Sequence, residues 1–161
     1  MRIPIVDEQD EIIGYKDRRD RNPKDICRVT GLWLTDPEGN ILLAQRSLDN
    51  NHDPGKWAPA VSGTVEEGET YELNMIKETE EEIGLKNPHL VFGPKFRRST
   101  SHEYFAQCFT AVVDHNYPFI KQDEEVEKIR WFTKNEIMKF LKEKPEMFIQ
   151  SFEPIAEYFL K

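Results

Sequence analysis

Between Glu66 and Glu82 the chain carries eight glutamates and a single lysine, Lys77, so −7 of its net charge of −8 falls within seventeen residues. Such a density of carboxylates has to face water or bind cations, and the flanking residues decide what it folds into. Thr70 is suited to cap a helix N-terminus, Gly84 is suited to end one in the left-handed conformation, and the residues between them alternate with helical spacing. A helix from Thr70 to about Ile83 is predicted. At about 100° per residue, with Glu78 at the origin, Glu81 falls near 300° and Glu82 near 40°, which gathers three carboxylates on one face. Leu73, Ile76, Thr79 and Ile83 fall opposite, where a core is expected. Glu78 and Glu82 repel at i,i+4 by about 0.2–0.5 kcal/mol unless a cation lies between them. An all-oxygen donor set suits a hard ion, Mg²⁺ or Mn²⁺, rather than zinc.

The chain of 161 residues is the size of one compact domain, and 38% hydrophobic residues suffice for one core. An excess of acid argues against general nucleic-acid binding, which requires neutralising many phosphates. No apolar run is long enough to span a bilayer, and the opening MRIPIVDEQDE lacks the pattern of a secretion signal. Cys27 and Cys108 are too few for a disulfide framework. These features predict a soluble, cytoplasmic protein with free thiols and no membrane partner; a homodimer is the commonest oligomer for such a chain.

Strands are expected at Ile3 to Val6, Glu11 to Tyr15, Ile26 to Leu34, Ile41 to Arg46, Trp57 to Val61, Leu90 to Phe96, Tyr104 to Val113 and Glu127 to Phe132. The turn DPEGN, Asp36 to Asn40, makes a hairpin of the third and fourth. Two closing helices are expected at Lys134 to Lys142 and Glu146 to Lys161, with Pro145 between them. The pattern is α+β.

Written out, Gly63-TVEEG-Glu69-TYELNMI-Lys77-Glu78-TE-Glu81-Glu82-I-Gly84-Leu85 resembles the Nudix box, G-x5-E-x7-R-E-U-x-E-E-x-G-U with U aliphatic. The stretches VDEQDEIIGYKDR, GNILLAQRS, PGKW and EEVEKIRWF are similar to the branch of that family which includes isopentenyl-diphosphate isomerase and its hydrolase relatives. The resemblance implies a Nudix fold over residues 1–161, a mixed β-sheet core sandwiched between helices, with the box at 63–85 and the closing helices at about 134–161. It also implies metal-dependent hydrolysis of a small-molecule diphosphate, commonly nucleoside diphosphate-X.

On that resemblance Gly63, Glu78, Glu81 and Glu82 hold the metal, Glu78 or Glu82 positions or deprotonates the attacking water, and Lys77 with Glu69 steadies the cluster. Glu125, six residues before Trp131, matches a position near the metal, and Glu103 is a weaker candidate read as surface. Arg46 and Lys56 resemble phosphate contacts of this branch. Arg97 and Arg98 are read as an exposed basic loop, the four histidines as surface or turn residues, and Trp33, Trp57 and Trp131 chiefly as core.

Two departures stand out. Lys77 replaces the family's arginine and loses the planar fork that grips a carboxylate, which opens the alternative of a metabolite-binding module with weak or no hydrolysis. Thr79 replaces an aliphatic residue, with its hydroxyl expected on a helix carbonyl. Isomerase activity is not expected: Ser62, Thr64 and Cys27 stand where the isomerases carry a catalytic cysteine and two histidines.

Overall fold

The computed structural model describes residues 1–161, and its architecture radiates from one long strand. The strands are β1 (Arg2–Val6), β2 (Ile12–Asp17), β3 (Ile26–Thr35), β4 (Ile41–Arg46), β5 (Trp57–Pro59), β6 (Val61–Thr64), β7 (Val91–Ser99), β8 (Glu103–Val112) and β9 (Val126–Phe132). The helices are α1 (Tyr71–Ile83), α2 (Lys134–Glu143) and α3 (Phe152–Leu160). β3 pairs in parallel with β8 along its whole length, from Ile26 opposite Glu103 to Thr35 opposite Val112. Along β3, β1, β6 and β4 each pair antiparallel, at Ile26, at Val29–Leu32 and at Leu34–Thr35 respectively. β7 pairs antiparallel with β8, β2 with β1, and β5 and β9 with β4.

Strand alternation produces a core on each face of this sheet. Leu32 and Leu34 of β3 join Leu42, Phe109, Met75 and Ile83 under α1, whereas Trp33 joins Leu43, Phe132, Ile137 and Phe152 under α2 and α3. The sheet is thus sandwiched between helices. The β3–β4 turn is held by Asp36, whose carboxylate accepts from the backbone N–H of Glu38 at 3.0 Å and of Asn40 at 2.8 Å, and lies 2.6 Å from His115 Nδ1.

Two expected elements divide. The segment from Trp57 to Val61 breaks at Ala60 because the chain changes partner, from β4 on one side of the break to β3 on the other. The final helix starts at Phe152 rather than at Glu146: Pro145–Met147 forms a 3-10 turn, and Phe148 runs extended beside Trp57, whose carbonyl accepts from Ile149 N–H at 3.0 Å. Phe148 then stacks on Phe152 at 4.5 Å, so tertiary packing overrides helical spacing there.

Arg97 and Arg98 are on β7, not in a loop. Arg97 pairs with Glu8 and Glu103, each at 2.9 Å, and this engages Glu103 away from the glutamates of α1.

Candidate active site

α1 has the expected bounds because both of its ends are locally encoded. The Thr70 hydroxyl accepts from Leu73 N–H at 3.1 Å, and Gly84 takes φ +70°, closing the helix with its N–H directed at Glu80 O and Thr79 O. A side chain at Gly84 would be strained by that backbone and would press on Ile120.

The helix is rotated relative to the predicted core face. Met75, Thr79, Glu82 and Ile83 are buried, while Leu73 is exposed. A stripe centred between Glu82 and Thr79 therefore faces the sheet, and Glu82 goes inward with it. The Thr79 hydroxyl is buried with no hydrogen-bond partner, contrary to the expected bond to a carbonyl.

Two polar devices set this orientation. Asn74, fully buried, receives the Thr30 hydroxyl on Oδ1 at 2.6 Å and donates to Thr64 O at 2.9 Å and Glu69 Oε1 at 3.0 Å, tying α1 to β3, β6 and the loop between. Gly63 supplies the close approach: a Cβ there would collide with Glu78 Cγ and stand 2.8 Å from Asn74 Oδ1. Glycine is demanded at this position by contact with the helix.

Lys77 lies at the centre of a carboxylate cluster. Its ammonium hydrogen-bonds Glu66, lies 2.7 Å from Glu69 Oε2 and 3.8 Å from Glu78 Oε1. Burial opposes the charge on Lys77, but the bonds to Glu66 and Glu69 outweigh it and hold its pKa above the ordinary lysine value. Glu69 is correspondingly held below the usual carboxylate range: burial is outweighed by Lys77, by the Glu66 N–H and by Asn74.

The remaining acids experience the opposite balance. Burial pushes Glu78 up to about 7, with Glu81, Glu125 and Glu69 adding to the rise against Lys77. Burial pushes Glu82 up to about 9, with Glu125 and Glu78 reinforcing it and the Ser62 N–H resisting. Glu82 Oε2 is buried without a partner. Glu125 is brought in by the segment that passes the end of α1, where Gln122 N–H bonds Glu82 O at 2.8 Å and Ser47 N–H bonds Glu125 O at 3.0 Å.

These residues border a cavity of about 590 Å³, whose wall includes Gly63, Glu78, Glu81, Glu82, Glu125 and Arg46. Arg46 is steadied by a 2.8 Å bond from its Nε to His52 O. Lys56 does not line the cavity, and its backbone carbonyl accepts from Arg46 N–H at 2.8 Å. Trp57 packs edge-on against Phe132 at 5.1 Å and is likewise absent from the wall. Sequence reasoning missed Glu66 as a partner of Lys77 and missed Arg98, Tyr104 and His52 as cavity residues. The period-2 alternation of β7 and β8 was the signal for Arg98 and Tyr104, which stand opposite each other.

The side chains do not form a closed metal cage as they stand. The donor set nevertheless fits a hard divalent ion: Glu78, Glu81, Glu82 and Glu125 offer oxygen alone, and a buried unpartnered carboxylate oxygen beside further acids is the group a cation would satisfy.

Comparison with known proteins places the chain in a family. The chain matches the NUDIX domain model over residues 26–152 and belongs to that family, enzymes that hydrolyse pyrophosphate bonds. An uncharacterized Nudix hydrolase of Yersinia pestis is 29% identical over 137 residues, covering 84% of this chain and 74% of that protein. A prenyl-diphosphate phosphatase of Methanosarcina mazei is 32% identical over 146 residues, covering 89% and 85%. Among solved structures, one from Deinococcus radiodurans superimposes with a TM-score of 0.78 at 23% identity over 98% of this chain and 96% of that one, a likeness of fold.

Proposed function

We propose that this enzyme is a Mg²⁺-dependent diphosphohydrolase, with Mn²⁺ as substitute, that cleaves a nucleoside diphosphate-X or a related small-molecule diphosphate. The observation that carries the reading is the buried, unpartnered Glu82 Oε2 beside Glu78 and Glu125. Glu78, Glu81, Glu82 and Glu125, with the Gly63 carbonyl, would hold the ion. Bound there, it would offset the repulsion between carboxylates and phosphates, polarise phosphorus and lower the pKa of water.

The chain's own residues supply the rest. Glu78 or Glu82 orients the water and accepts its proton; the unusually high pKa values of these groups suit a base once a cation makes them ionise. Lys77, held by Glu66 and Glu69, keeps a positive charge near Glu78 and fixes the loop that leads into α1. Arg46 reaches the cavity as a phosphate contact. No helix is long and apolar enough to cross a membrane, and we place the enzyme in the cytoplasm.

The test is release of phosphate or monophosphate from nucleoside diphosphates and triphosphates, nucleotide sugars, dinucleotides and isoprenoid diphosphates, with Mg²⁺, Mn²⁺ or chelator. Release from one class that chelator abolishes is expected. Metal-independent release, or none from any class, overturns the reading.

A further inference from the structure

The acids come from α1 and the segment before β9, but the cavity extends across the sheet to β7. Phe96 and Arg98 of β7 stand opposite Ala106 and Tyr104 of β8, and Val29 and Gly31 of β3 stand opposite Ala106 and Cys108. Alternation puts all of these on one face. Gly31 and Ala106 keep the floor low, and Ile149 and Ile155 add an apolar side wall. Arg98 lines this region, and its Nη2 is cut off from solvent with no hydrogen-bond partner. The guanidinium is backed by the Phe96 ring, 5.0 Å from its centroid. Tyr104 faces Ser151 nearby.

A buried guanidinium N–H without an acceptor is costly in a native protein, and such a group inside a ligand cavity asks for an acceptor from the ligand. Its location says which part of the ligand. β6 and β7 are separated by β3 and β8, so Arg98 stands three strand spacings, roughly 14 Å, from the Gly63 strand. That is beyond the diphosphate itself, where the attached organic group would lie. Arg46 and the metal-holding acids serve the phosphates, which leaves Arg98 for the other end.

We propose that Arg98 is a specificity residue that receives the acceptor edge of a nucleobase attached to the diphosphate, and that it disfavours a purely hydrocarbon group such as a prenyl chain. The proposal rests on the hydrolase reading above and names the substrate class within it. The flat guanidinium fork, fixed against Phe96, matches a base that presents two acceptors side by side. A prenyl chain would fill the apolar wall while leaving Arg98 Nη2 unpaired, and a site built to donate hydrogen bonds rejects ligands that cannot accept them.

The experiment compares Arg98→Met and Arg98→Lys with the natural enzyme on ADP, CDP, GDP, UDP and geranyl diphosphate, in Mg²⁺. The natural enzyme is expected to favour a nucleoside diphosphate. Arg98→Met should raise KM for that substrate by about tenfold or more with little change in kcat, moving selectivity toward geranyl diphosphate, and Arg98→Lys should recover only part of the loss. The melting temperature of Arg98→Met should equal or exceed that of the natural protein, since a buried unpaired donor is gone. Equal effects on both substrate classes, no effect on either, or a preference for geranyl diphosphate that Arg98→Met weakens would each overturn the proposal. Calorimetric binding of the same ligands separates this from the hydrolase reading: absence of turnover defeats that reading, whereas the ratio of dissociation constants between natural protein and Arg98→Met still decides the role of Arg98, and no nucleoside diphosphate binding refutes it.

Discussion

Lys77 Nζ lies 2.7 Å from Glu69 Oε2, joining the middle of α1 to the loop that precedes it. With Glu66 as a further partner, the lysine gathers two loop carboxylates and holds them where they can be counterbalanced. A point charge does this without the bidentate geometry an arginine supplies.

Replacing Lys77 separates charge from geometry. Lys77→Met should lower kcat by about 10–100-fold, the usual effect of losing a partner that orients the groups around a metal. Lys77→Arg should retain or raise kcat, because the fork can hold Glu69 with two bonds. Steady-state kinetics at saturating Mg²⁺ reads both, and equal losses in the two variants would show that charge is not what matters.

Glu82→Gln should lower turnover by about 10²–10⁴-fold, whether the residue holds the ion or accepts the proton. It should also raise the melting temperature of the metal-free protein at pH 7 and abolish the stabilisation produced by Mg²⁺. The sign follows from the folded pKa near 9 against an ordinary 4.5: the folded state binds the extra proton, so stability of the metal-free natural protein falls as pH rises from about 4.5 to 9. The variant should show a flatter profile in melting experiments across that range.

Gly63→Ala should destabilise by about 1–3 kcal/mol and cut activity, because the new methyl displaces Glu78 and Asn74 together. Urea unfolding and kinetics would measure the two effects. A variant with natural stability and activity would mean that α1 can retreat from β6 freely.

Asp10 offers a pH test away from the site. Its carboxylate is 9% exposed, accepts from Arg28 and Lys95, each at 2.7 Å, and from the Tyr71 hydroxyl at 2.8 Å. Burial raises its pKa, but the three donors outweigh that and hold it below 3.8. Its contribution is therefore complete above the unfolded value and disappears as pH falls through the folded one. Asp10→Asn keeps a residue that tolerates the φ of 61° and should cost about 1.5–3 kcal/mol at pH 7, a gap that narrows on acidification. Denaturation midpoints at pH 7 and pH 3 check it.

Features set by neighbouring residues in the chain were legible in the sequence. Thr70 and Gly84 bound α1 because capping is local, the Asp36–Asn40 turn joins β3 to β4 for the same reason, and the glutamate spacing alone placed Glu78, Glu81 and Glu82 on one stretch of helix. Interactions between distant segments were not legible. Which face of α1 goes inward depends on Asn74 bonding Thr30 and Thr64, which buries Glu82 and exposes Leu73. Phe148 interrupts the last helical stretch because Trp57, ninety-one residues earlier, holds its backbone extended. Arg98 changes from a loop charge to a cavity wall only through the pairing of β7 with β8 and of β8 with β3. Local propensity and spacing are properties of a few consecutive residues, whereas burial and the electrostatics that follow from it depend on partners that the fold alone brings into contact.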